Sequence, residues 1–146
     1  MGAWLVVSIP EGMSISEHRK PDIEGDIEIR LMVDTFYDKI RTDEKLGPIF
    51  QERVDDWSLH MPKMYAFWNT ILFGGKDYRG NPMGKHLDLP VDSEHFQQWI
   101  RVFGETVDEL FEGEKAEQAK AAAKSIAHTF QIRMGINPFG HSDRLL

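Results

Sequence analysis

The sequence predicts an all-α domain, and three observations carry that prediction. Apolar residues recur at three- and four-residue spacing through most of the chain from about residue 22 to residue 134. Gly and Pro gather between those stretches, at Gly47-Pro48, Gly74-Gly75, Gly80 to Gly84 and Gly135 to Pro138. No segment keeps the strict alternation of a half-buried strand. A chain of 146 residues fits one domain, large enough to bury a single core.

Residues 1–23 read as an extension. Pro10, Gly12, Ser14, Ser16 and Pro21 break any long periodicity, although Trp4 to Ile9 suits a short extended piece. The apolar run Ala3 to Ile9 is shorter than the roughly 20 residues that span a bilayer. It also lacks the charged start and small-residue cleavage site of a signal peptide, so a cytoplasmic protein without a membrane partner is expected.

The first helix is expected from about Asp22 to Arg41 or Thr42, with Ile29, Val33, Phe36, Tyr37 and Ile40 on one stripe. Leu46-Gly47-Pro48-Ile49-Phe50 then reads as an apolar turn, and Ile49 and Phe50 require a cover. A second helix runs from about Asp55 to Phe73. Trp57, Met61, Met64, Trp68, Ile71 and Leu72 mark its inner face, with His60 beside it. Pro62 predicts either an effective start near Ser58 or a kink. The connection 74–91, about 18 residues, is long for a compact domain and therefore a functional candidate.

The third helix is the clearest. Phe96, Trp99, Ile100, Phe103, Val107, Leu110 and Phe111 keep helical spacing, after an N-cap at Asp92 or Ser93. A last helix is expected from about Glu114 to Met134, with Ala119, Ala123, Ile126, Ala127, Phe130 and Met134 inward. Its small residues permit close approach of a neighbour. Gly135 ends it, and 135–146 reads as a tail.

Composition removes several functions. Without cysteine there is no disulfide, no thiolate metal site and no cysteine nucleophile, which leaves histidine as the soft-metal ligand. A net charge of −7 argues against a nucleic-acid partner, which needs a basic stripe. Phosphate-cradling, serine-hydrolase and zinc-protease motifs are missing. His18, His141, His95 and His128 are assigned surface or ordinary packing roles.

Four Trp, nine Phe and three Tyr are more large rings than a small helical core requires. Tyr37, Trp68 and Trp99 lie on buried stripes, yet their polar atoms need partners there. His60 sits at the edge of a stripe, and His86 sits in the broken connection. A flat apolar cofactor accounts for all of them. Aromatic and Met side chains, Met64 among them, pack on its faces. His86 supplies an axial ligand, and Tyr37, Trp99 and His60 offer donors on the other side.

These residues also carry a family resemblance. Phe36-Tyr37, Leu46 to Phe50, Trp57 to His60, Phe67-Trp68, His86-Leu87-Asp88-Leu89-Pro90 and Trp99 resemble, in order and approximate spacing, the group III truncated haemoglobins. The resemblance covers roughly residues 24–134, the expected globin domain. It implies a globin-like fold of two helices over two around one haem b. It implies His86 as proximal iron ligand and Tyr37, His60 and Trp99 as the distal set. Phe50 and Trp68 would pack on the porphyrin, with Tyr78 and Lys85 near its carboxylates. The implied function is reversible binding of O2, and of CO and NO, at the haem iron. A pocket rich in donors suits slow-release O2 chemistry, such as NO dioxygenation or a peroxidase-like reaction, and this requires an external electron-donor reductase. Two other readings remain open: a cofactor-free helical interaction module, and a non-haem metal site on His60 and His86, which lacks a carboxylate to complete it.

Overall fold

The computed structural model describes residues 20–76 and 90–136, and within them every regular element is a helix. These are α1 (Asp26–Thr42), α2 (Gly47–Arg53), α3 (Trp57–Phe73), α4 (Ser93–Leu110) and α5 (Glu114–Arg133). The pair α1–α3 lies against the pair α4–α5, with α1 packed on α4 and α3 on α5. This is the expected arrangement of two helices over two.

The α1 stripe folds as its spacing predicts, burying Ile29, Met32, Val33, Phe36, Tyr37 and Ile40. Asp26 and Glu28 stand in its first turn and Lys39 and Arg41 in its last, the charge order that a helix dipole favours. Along α5, Ala116, Ala119, Ala123 and Ala127 are buried, and small side chains let α4 come close.

The expected apolar turn at Leu46–Phe50 is a helix instead. Pro48 falls at the start of α2, where a missing N–H costs nothing. Asp43 Oδ2 accepts from the backbone N–H of Lys45 and Leu46, at 3.0 and 2.9 Å, and organises the entry. Gly47 is required by crowding, since a Cβ there would sit 2.9 Å from the Arg41 carbonyl oxygen.

Asp56 caps α3 through the Ser58 N–H, and the helix passes through Pro62. The lost hydrogen bond falls near the helix start, and Pro62 faces solvent.

The chain before α1 is tied to the start of α5, about 93 residues later in sequence. Asp22 Oδ2 accepts from the Lys115 N–H at 2.9 Å, and Asp22 Oδ1 accepts from the Ala116 N–H at 2.8 Å. Asp22 thus caps α5, whose own N-cap position, Gly113, has no side chain to do so. Gly113 adopts φ 138°, and a Cβ there would meet the Asp22 carboxylate at 2.5 Å. Next to Asp22, Ile23 is 1% exposed and joins the core.

Partial burial raises the Asp22 pKa, but the N–H donors of Lys115, Ile23 and Ala116 outweigh it and hold the group below its ordinary value of 3.8. Because the folded value is depressed, the stabilisation is complete above 3.8 and is lost as pH falls through the lower folded value. Asp22→Ala is therefore expected to cost about 0.5–2 kcal/mol at pH 7. The urea midpoints of the two proteins should converge in acid. A gap independent of pH would show that the cap acts through packing alone.

Candidate functional site

A cavity of roughly 730 Å³ lies inside the two helix pairs, within the range of small-molecule and cofactor sites. Its wall includes Tyr37, Phe50, His60, Met64, Trp68 and Trp99. Four helices thus bring together six residues that the sequence singled out. Tyr78, Lys85 and His86 lie outside the described residues, as do His18 and His141.

Each polar member is placed by its helix and by ring contacts. Tyr37, on the buried face of α1, is 7% exposed. Its ring meets Phe50, Trp57 and His60 edge-on, at centroid distances of 5.8, 5.7 and 5.3 Å. His60 stands in the first turn of α3, just after the Asp56 cap. Trp99 projects from α4 and is gripped by Phe36 at 5.7 Å, edge-on, and by Phe103 at 5.9 Å, stacked. Phe103 carries Trp68 on a second stack, at 4.8 Å and 12°. Trp68 and Trp99 both line the cavity.

Aliphatic and aromatic side chains complete much of the wall, among them Leu46, Ile49, Phe67, Phe96, Ile126 and Phe130. Arg53, Asp55, Asp56 and Lys63 bring charge to the lining. Hydrogen bonds from the Ser58 hydroxyl and N–H hold the Asp56 carboxyl below the usual carboxylate range.

Two structural joints were not foreseen in the sequence. The Gln98 amide donates to Asp43 Oδ1 at 2.6 Å and so ties α4, beside Trp99, to the entry of α2. Burial raises the Asp43 pKa, but the N–H of Leu46, the Gln98 amide and the N–H of Lys45 together lower it. The second joint is His95, which lines the cavity as well as closing a capping box with Asp92. Its Nδ1 accepts from the Asp92 N–H at 3.1 Å, while Asp92 Oδ1 accepts from the N–H of Glu94 and His95. Asp92 was expected as an N-cap candidate, and its three-residue spacing to His95 was the available signal for the rest of the box. Nothing local signals that the ring also borders the hollow.

Among the described residues, no three His, Asp or Glu side chains gather to hold a metal ion. No helix there is long and apolar enough to cross a membrane.

Two helix pairs bordering an aromatic hollow define a globin-type protein. The chain belongs to the bacterial-like globins, and residues 21–132 match that family. It is similar to the group 3 truncated hemoglobin ctb of Campylobacter jejuni, 36% identical over 108 residues, covering 70% of this chain and 85% of that one. The crystal structure of the group III truncated hemoglobin from Campylobacter jejuni superposes with a TM-score of 0.74 at 33% identity, over 84% of this chain and 99% of that chain. The truncated oxygen-avid haemoglobin from Bacillus subtilis gives a TM-score of 0.63 at 26% identity, over 77% and 94%. The resemblance to group III truncated haemoglobins read from the sequence is thereby borne out.

Proposed function

We propose that the cavity holds haem b, that His86 is the proximal ligand of its iron, and that the iron reversibly binds O2 and the other diatomics CO and NO. The observation that carries this reading is the meeting of Tyr37, His60 and Trp99, from three helices, on the wall of one apolar cavity.

The residues present fit a porphyrin. Phe50, Met64 and Trp68 supply apolar contact, as a flat macrocycle needs. Two cationic side chains in the lining, Arg53 and Lys63, suit two carboxylates. Lys85 and Tyr78 are assigned to the same carboxylates. When bound, the haem supplies the iron on which a diatomic sits. The chain supplies the rest: Tyr37 and Trp99 donate hydrogen bonds to the ligand, and His60 stands beside Tyr37 as the third polar group. Donors favour O2, which takes up negative charge, over CO, which does not.

We assign residues 24–134 to the globin domain and place the protein in the cytoplasm, with no nucleic acid among its partners. Slow O2 release suits NO dioxygenation or a peroxidase-like reaction, for which an external reductase would provide electrons. A cofactor-free interaction module gives no account of the hollow.

Hemin reconstitution tests the reading. A sharp Soret band that shifts on reduction and CO addition, and is lost or altered in His86→Ala, is the expected result. A broad band unchanged by that substitution would return the chain to the interaction-module reading.

A further inference from the structure

Tyr65 stands on α3 between Met64 and the pair Phe67-Trp68, all of which line the cavity. The tyrosine itself lies behind that wall, against α1. Its hydroxyl donates to Asp34 Oδ1. The Arg30 guanidinium covers its ring, 4.7 Å from the centroid, and is bound in turn to Asp26 at 2.7 Å. Two carboxylates against one guanidinium leave this cluster negative. Burial, then the hydrogen bond to Asp34, push the phenol up to about 12. Tyr65 thus keeps its proton, and Asp34 Oδ1 is the atom that this proton faces.

Trp68 follows Tyr65 by three residues, so the two are neighbours on the helix surface, with Cβ atoms about 5–6 Å apart. Trp68 is 4% exposed and stacked on Phe103, and it faces the cavity.

We propose that Trp68 and Tyr65 form a two-residue electron path from the cavity to the surface, with Asp34 receiving the phenolic proton, and that this path serves the reduction of a hydroperoxide in the cavity. The path rests on the haem reading of the cavity. Reduction of hydrogen peroxide to two waters breaks the O–O bond and takes two electrons and two protons. Trp68 gives one electron inward and regains it from Tyr65. As Tyr65 loses that electron, its O–H proton passes to Asp34, which exchanges it with solvent. An external phenol, AH, then returns one electron and one proton to Tyr65. Two such passages give H2O2 + 2 AH → 2 H2O + 2 A•, in which the phenol is oxidised and the peroxide reduced.

The test uses the full chain loaded with hemin, mixed with H2O2 and freeze-quenched for electron paramagnetic resonance. The wild type should show a tyrosyl signal, and peptide mapping should place oxidation at Tyr65. Tyr65→Phe keeps the ring volume and should lose that signal, leaving a tryptophan-type radical that Trp68→Phe removes. Asp34→Asn should keep the Soret band while lowering the tyrosyl yield, because the proton acceptor is gone. A tyrosyl signal undiminished in Tyr65→Phe overturns the path, as does peroxide consumption with no oxidation at Tyr65 or Trp68. A protein that takes up no hemin overturns the haem reading and the path with it. One that takes up hemin and fails only the radical test overturns the path alone.

Discussion

Phe103→Ala is expected to lower folding stability by about 3–5 kcal/mol, the cost of emptying a large ring from a packed core. A typical domain has only about 5–15 kcal/mol in total, so the variant should be marginal. Phe103 is 1% exposed and meets Phe36 edge-on at 5.2 Å, Trp68 stacked at 4.8 Å and Trp99 stacked at 5.9 Å. It joins α1, α3 and α4 at one point. Removing it opens a void among rings that cannot collapse without tilting the two tryptophans on the cavity wall. Phe103→Leu keeps most of the volume and should cost less than about 1.5 kcal/mol. Urea unfolding with an unchanged denaturant slope would read the difference. A loss under about 1 kcal/mol for the alanine variant would mean that the three helices are held together elsewhere.

The stripes on α1 and α4 were legible because each helix buries one face and leaves charge on the other. Ile29, Val33, Phe36, Tyr37 and Ile40 come out buried, as do Phe96, Phe103 and Val107. The α2 helix was not legible. Its seven residues start with Gly-Pro, and what stabilises it is tertiary: the Asp43 carboxylate at its entry and the packing of Phe50 on Tyr37. Asp22 was hidden for a related reason, since its partners are about 93 residues away in sequence and no local period records them. The distal candidates could be named individually from helix faces and from the family resemblance. Their meeting depends on how α1 crosses α3 and α4, which spacing within one helix does not encode. His95 shows the same limit from the other side, because its capping role is local and its place on the cavity wall is not.

In hemin-loaded protein reduced to the ferrous form, Tyr37→Phe and Trp99→Phe are each expected to speed O2 dissociation by roughly 10- to 150-fold, the equivalent of a hydrogen bond to a charged acceptor at about 1.5–3 kcal/mol. Both substitutions retain a ring. Tyr37→Phe should preserve the edge contacts with Phe50, Trp57 and His60, and Trp99→Phe should keep a ring against Phe36 and Phe103. What each removes is one donor atom, so stopped-flow O2 displacement isolates the hydrogen bond from the packing. CO dissociation serves as the internal control, because a ligand with little charge should respond weakly to the same change. The double variant should fall short of the product of the single effects. Tyr37 and Trp99 share Phe36 as a neighbour, at 5.1 and 5.7 Å, and two donors converging on one small ligand are not independent. Equal acceleration for O2 and CO would assign the effect to access through the pocket rather than to donation. Unchanged O2 release in both single variants would remove Tyr37 and Trp99 from the distal set and leave His60 as the residue to test next.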